Sequence, residues 1–272
     1  MVKGIIAKSL RDALELRKDS TFVPYIGGTD LMVEADENKS YLFLHQVPEM
    51  KNIAEDEEFI RFGAACTFTE IIKNPLSPMI LKQACRQIGA PAVRNMGSIG
   101  GNIGNGSAKA DSALICMVTD SKLRLASADS ERIVPIKDFY LGRKKLNLNP
   151  DELIIEILMP KHGLENYYHE KVGARKALAI SRVSFAGIMD IKNGVIQNNA
   201  TAFGAVSDVI IRLDTIDNML IGKTIEEAKK LRGDYIQAIG DAIVPTRGRV
   251  GIEYRKDVCI NLLKSFLEVS GI

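Results

Sequence analysis

The chain has 272 residues, of which 46% are hydrophobic and 26% charged, with a formal net charge of +2 and no tryptophan. This balance is that of a soluble globular protein with one large domain or two modest ones, and it offers no strong field for nucleic acid or an acidic membrane. With aromatics at only 6%, the composition also argues against a base-stacking surface.

The opening segment Met1 to Lys8 is too short and too interrupted for the apolar core of a signal peptide. No apolar run reaches the length of a membrane span, so the expected compartment is the cytoplasm. Residues 21–26 read as a short buried strand that enters a glycine turn, Tyr25-Ile26-Gly27-Gly28-Thr29-Asp30-Leu31. Leu31 to Glu34 starts a helix or a return segment. Tyr41 to Leu44 and Phe59 to Phe62 carry β-favouring residues between polar flanks and read as strands. Thr67-Phe68-Thr69-Glu70 has the form of a capping box, with a short helix to follow and stop near Asn74-Pro75. Ser77 to Ile88 reads as a helix with Ile80, Leu81, Ala84 and Ile88 on one face and Gly89 as its C-terminal stop.

A second glycine-rich segment follows, running from Arg94 through Gly97, Ser98, Ile99, Gly100, Gly101 and Asn102 to Gly104, Asn105 and Gly106. It too reads as a turn between packed elements. Next come a short apolar helix over Ala110 to Val118, strands at Lys122 to Ala128 and Arg132 to Ile136, and a strand at Leu153 to Met159 ended by Pro160. Beyond Pro160 the character changes. Two apolar strands in 183–206 flank Lys192-Asn193-Gly194, and Asn-Gly is a hairpin signal because both residues tolerate positive φ. Thr224 with Glu227 marks a helix start, and Val258, Leu262, Leu263 and Phe266 lie at helical spacing in the tail. Strands followed by helices indicate a separate α+β domain.

Adjacent glycines let a backbone approach a ligand and aim N–H groups at it. Two such segments, with Thr29, Asp30, Ser98, Asn102 and Asn105 beside the glycines, suggest a clamp on an elongated anion such as a pyrophosphate. The glycines at 97, 100, 101, 104 and 106 do not form the G-x-G-x-x-G dinucleotide fingerprint, and Gly222-Lys223-Thr224 lacks the upstream glycine of a P-loop. Cys66, Cys85, Cys116 and Cys259, and His45, His162 and His169, are scattered without metal-ligand spacing. Asp111 has two readings, a helix N-cap or a cofactor ligand. Tyr254-Arg255 reads as a structural or subunit contact.

The segments Gly27 to Leu31 and Arg94 to Ile103, with Asp111 following, resemble the FAD-binding subunit of the molybdenum hydroxylases, the family of xanthine dehydrogenase and the medium subunit of aerobic carbon monoxide dehydrogenase. Leu153 to Pro160, Lys171 to Ala177 and Tyr254-Arg255 are similar to later segments of that family, so the resemblance covers nearly the whole chain. It implies an α+β fold: an FAD-binding domain of vanillyl-alcohol-oxidase (PCMH) type over 1–160, with subdomains of about 1–55 and 56–160, and a C-terminal α+β domain with antiparallel sheet and helices over 161–272. It implies that Tyr25, Ile26, Gly27, Gly28, Thr29, Asp30 and Leu31, with Ser98, Ile99, Gly100, Gly101, Asn102 and Asn105, hold the FAD pyrophosphate. Asp111 would contact ribityl or ribose hydroxyls, Ile154 and Lys171 would lie along the cofactor, and Ile180 would sit near the isoalloxazine ring. Ala179 stands where the family often has Asp, which leaves NAD⁺ open as the acceptor, and Ala108-Lys109 stands where it often has Pro.

The implied role is an electron-transfer flavoprotein subunit that works with an iron–sulfur subunit and a molybdopterin-containing large subunit, with no catalytic acid or base and no metal of its own. A self-contained FAD oxidoreductase of the same fold and a non-catalytic nucleotide-binding scaffold are the competing readings.

Overall fold

The computed structural model describes residues 3–34, 36, 38–175, 178–246, 248 and 250–272; Met1, Val2 and the Lys176-Ala177 pair of the Lys171 to Ala177 segment lie outside the described residues. The chain begins with a three-stranded parallel sheet. Strand β1 (Lys3–Ile6) leads through helix α1 (Leu10–Arg17) to β2 (Phe22–Tyr25), and β3 (Ser40–Phe43) inserts between them in the order β1-β3-β2. Ser9 caps α1 by accepting from the Asp12 N–H. The strand expected over 21–26 is present but half-buried rather than buried, because it lies at the sheet edge.

A five-stranded antiparallel sheet follows, ordered β4 (Ile53–Glu55), β5 (Phe59–Gly63), β10 (Leu153–Pro160), β6 (Lys122–Ala126) and β7 (Glu131–Pro135). Between β5 and β6 come five short helices: α2 (Phe68–Lys73), α3 (Met79–Arg86), α4 (Pro91–Met96), α5 (Ile99–Gly104) and α6 (Asp111–Val118). The Thr67–Glu70 capping box is formed reciprocally at α2, an arrangement that typically contributes about 1 kcal/mol. A two-stranded ribbon, β8 (Tyr140–Gly142) with β9 (Lys145–Leu146), precedes β10.

The C-terminal half is a four-stranded antiparallel sheet in sequence order, β11 (Tyr167–Val172), β12 (Val183–Lys192), β13 (Val195–Gly204) and β14 (Ile211–Arg212), then α7 (Asp214–Asp217), α8 (Ile225–Ala242) and α9 (Ile252–Val269). Asn193 and Gly194 both adopt positive φ, 52° and 75°, as the β12–β13 hairpin turn requires. The second capping box, Thr224 with Glu227, starts α8.

Strands β12 and β13 are buried on both faces. Phe185, Met189 and Phe203 join the core under α8 and α9, while Ala186, Ala200 and Ala202 join the core of the N-terminal half with α6. Small residues on that second face let α6 approach the sheet closely. All eight residues of α6 are buried. The helix that Asp111 begins is therefore the dowel between the two halves.

Candidate functional site

A cavity of about 780 Å³ opens between the parallel sheet, the short helices and the β11–β12 connection. Its size is within the range of small-molecule and cofactor pockets. Its walls include every residue from Tyr25 to Leu31, then Ser98, Gly100, Gly101, Asn102, Asn105, Asp111, Ile154, Lys171 and Ile180. The two glycine segments touch directly: a Cβ on Gly27 would collide with the Met96 carbonyl. The residues singled out in the sequence thus converge on one space, with one exception. Ile99 is fully buried in the core and does not line the cavity.

The first segment is a true turn. Gly28 has φ +65°, and a side chain there would strike the Tyr25 ring. The carbonyls of Gly28 and Asp30 accept from Met32 and Val33 at 2.9 and 3.0 Å as the chain tightens into the 3₁₀ turn Leu31–Glu34. The N–H groups of Gly27, Gly28, Thr29 and Asp30 have no hydrogen-bond partner among the described residues. Successive unpartnered N–H groups beside a cavity form an anion cradle.

The second segment is a helix rather than a turn, and this corrects the sequence expectation. Ser98 caps α5, its hydroxyl accepting from the Gly101 N–H at 3.1 Å. The amides of Ile99, Gly100 and Asn102 donate to the carbonyls of Cys66, Ala64 and Ser98. The donors expected to be bare over 98–102 are therefore taken, and only the Ser98 N–H lacks a partner among the described residues. Gly100 is small for another reason: a Cβ would overlap Ala64. Gly101 faces outward along the cavity wall. Asn102 accepts from the Ser112 hydroxyl at 2.7 Å, which orients its amide.

Asp111 is not the cap of α6. Ala110 holds that position, and Asp111 is the first helical residue. Both of its carboxylate oxygens are engaged by the C-terminal half, Oδ2 by Lys171 Nζ at 2.6 Å and Oδ1 by the Ser181 hydroxyl at 2.9 Å. Burial pushes the Asp111 carboxyl above its ordinary pKa, against the opposing pull of the Lys171 ammonium and the Ser181 hydroxyl. Lys171 also donates to the Gln87 carbonyl at 3.0 Å. Ile180 is 73% exposed, a large aliphatic side chain on the cavity rim. Tyr167 and Tyr168 pack into the two cores and do not line the space. Arg255 is buried and donates to the carbonyls of Ala205, Val206 and Thr246, so the Tyr254-Arg255 pair is structural at its arginine.

The cavity has groups that no motif announced. Arg17, Lys39, Lys109, Lys144, Leu148 and Glu152 all line it. Arg17 donates to the Phe22 carbonyl at 2.6 Å, and Glu152 is held by Arg132 at 2.7 and 2.8 Å. That hydrogen bonding keeps the Glu152 carboxyl below the ordinary range.

Comparison with known proteins agrees with this geometry. Residues 1–162 match the family described as FAD binding domain in molybdopterin dehydrogenase, and residues 168–269 match the CO dehydrogenase flavoprotein C-terminal domain. The chain belongs to this flavoprotein family. It is 33% identical over 218 residues to the putative xanthine dehydrogenase FAD-binding subunit of Escherichia coli (strain K12), covering 76% of this chain and 74% of the relative. It is 26% identical over 275 residues to the glyceraldehyde dehydrogenase medium chain of Sulfolobus acidocaldarius, covering 97% and 96%. In fold it superposes on a chain of carbon monoxide dehydrogenase from Hydrogenophaga pseudoflava with a TM-score of 0.88 and 23% identity, over 98% of this chain and 96% of the other. FAD is the cofactor of the family, and the unpartnered N–H groups of residues 27–30 within a cavity of this size fit its diphosphate.

Proposed function

We propose that this chain accepts electrons from iron–sulfur clusters on a partner subunit, fed in turn by a molybdopterin-containing large subunit, and delivers them by way of FAD to NAD⁺ or another acceptor. The observation that carries the reading is the row of unpartnered N–H groups at Gly27, Gly28, Thr29 and Asp30, facing α5 across the cavity. FAD supplies the interconversion between two-electron and one-electron transfer; the protein holds and orients it.

In this reading residues 1–160 carry most of the binding surface and residues 161–272 close it. Thr29, Asp30, Ser98 and Asn102 add side-chain donors and acceptors around the diphosphate. Asp111 and Lys171 form the polar floor where the halves meet, and Ile180 covers the ring at the exposed rim. Ile154 lies at the opposite end with the adenosine. The cysteines are in keeping with a need for partners. Cys66, Cys85, Cys116 and Cys259 are all buried free thiols, and among the described residues no group of three or more His, Cys, Asp or Glu is placed to hold a metal, so in this reading the iron–sulfur clusters belong to a partner. Relatives named as FAD-binding subunits and medium chains support a multi-subunit setting.

The purified chain should be yellow and hold one FAD. Gly101→Leu places a side chain at the cavity wall, where its Cβ would lie 2.9 Å from the Ser98 hydroxyl and only that side chain need turn aside, so FAD occupancy should fall while the circular dichroism of the chain is kept. Full occupancy in this variant overturns the site. Mixing the flavin-loaded chain with a pre-reduced iron–sulfur partner should bleach the flavin absorbance; a partner that leaves it unchanged overturns the electron-transfer role.

A further inference from the structure

Lys144 sits on the turn of the β8–β9 ribbon and lines the cavity, outside both glycine-rich segments. Its backbone is left-handed, φ +58°, which is uncommon for a residue with a side chain. The conformation is held from outside. The Lys144 N–H donates to the Gly106 carbonyl at 3.3 Å, and Gly106, itself at φ +64°, lets the turn come so near that a Cβ there would lie 3.0 Å from the Lys144 Cα. The ammonium donates to Asn105 Oδ1 at 2.8 Å and has no acidic partner among the described residues. Backbone strain held by neighbours at a cavity wall is a recurring mark of positioned binding groups.

Helix α5 fixes which part of a ligand Lys144 can meet. At its N-terminal end, Ser98 adjoins Gly97 and Met96, against which Gly27 packs. The same side holds the junction with the C-terminal half: α4 is tied to Gly89 by Arg94 Nη1 at 2.7 Å, and Lys171 donates to the neighbouring Gln87 carbonyl. At the other end, a Cβ on Gly104 would lie 3.4 Å from Ile154 Cδ1, and Asn105 holds Lys144. Six helical residues separate these ends by roughly 9 Å at 1.5 Å rise per residue. A ligand with its diphosphate on the 27–30 amides and its ring at the junction therefore carries its other end to Ile154, Leu148 and Lys144.

We propose that Lys144 is a binding residue for the adenosine half of FAD, donating from its ammonium to the ribose or ring acceptors while Leu148 and Ile154 supply the apolar wall. This rests on the placement of FAD given above. An ammonium has three donors, and Asn105 takes one, which leaves two for the ligand.

The test uses the full chain stripped of flavin, titrated with FAD and with FMN by flavin fluorescence. FMN keeps the ring and one phosphate but lacks adenosine. Lys144→Gln should weaken FAD binding by about tenfold, the effect of one lost charged hydrogen bond, and leave FMN binding within about twofold. Lys145→Gln removes the same charge from the same turn at a residue that does not line the cavity, and it should change neither. Equal weakening of FAD and FMN by Lys144→Gln, or an unchanged FAD affinity, overturns the assignment. A wild-type apoprotein that takes up neither flavin overturns the placement of FAD itself, and the role of Lys144 with it.

Discussion

Lys171 of β11 and Asp111 of α6 meet across the two halves of the molecule, Nζ to Oδ2 at 2.6 Å, with side-chain exposures of only 8% and 6%. Removing one member of such a pair strands a buried charge, which typically costs about 3–5 kcal/mol, whereas removing both can be nearly neutral. Asp111→Asn and Lys171→Met should each destabilise the chain by about that much in urea unfolding, and the double variant should recover most of the loss. All three should hold less FAD, since the pair lines the cavity. Additive losses in the double variant would show that the two side chains act independently.

The position of this pair could be anticipated only in part. Asp111 and Lys171 stand out by resemblance, but that each is the other's partner depends on β11 docking beside α3 while β12 and β13 pack on α6, which no local pattern encodes. The hairpin at Asn193-Gly194, both capping boxes and strand β10 were legible because turn and cap chemistry is local. Helix α5 was not. Gly97, Gly100, Gly101, Gly104 and Gly106 argue against a helix on propensity, and the helix stands because its first amides are bound by Cys66 and Ala64 from another element. The same contact consumed the donors that the glycines were expected to bare. Arg17, Lys144 and Glu152 reach the cavity from α1, a ribbon turn and the residue before β10, so their shared site exists only in the folded chain.

His169, two residues before Lys171, gives a pH signature. It is 3% exposed, neither ring nitrogen has a partner among the described residues, and burial lowers its pKa from 6.5 to about 4. The unfolded chain therefore binds more protons between these values, and stability falls as pH drops from 6.5 toward 4. The full shift amounts to on the order of 3 kcal/mol. His169→Met should show a shallower loss over that window and no loss of stability at pH 7.5. A variant whose stability has the same pH slope as wild type would remove His169 from the acid response.

The thiols give a second check on burial. With all four cysteines buried and their pKa values raised by that burial, native protein should react with a thiol reagent such as Ellman's reagent far more slowly than a free thiol at pH 8. In denaturant all four should titrate. Rapid labelling of one cysteine in the native state would show that the core containing it opens, and mass spectrometry would name the element.

Gly27 separates the structural from the binding use of a glycine. Its N–H has no partner among the described residues, but its Cα also lies against the Met96–Gly97 peptide, where a Cβ would collide with the Met96 carbonyl and sit 3.1 Å from the Gly97 nitrogen. Backbone cannot yield as a flexible side chain can, so Gly27→Ala must push the first segment away from α5. Overpacking of this kind typically costs about 1–3 kcal/mol. The displacement also widens the gap between the 27–30 amides and the Ser98 N–H, so FAD affinity should fall by more than the stability loss alone would cause. Thr29→Ala, on the same turn but exposed and free of such contact, should leave stability within about 0.5 kcal/mol while still weakening FAD if its hydroxyl takes part. Equilibrium dialysis with FAD beside urea unfolding reads both quantities, and a Gly27→Ala protein that binds FAD as tightly as wild type would show that the two segments need not be held together.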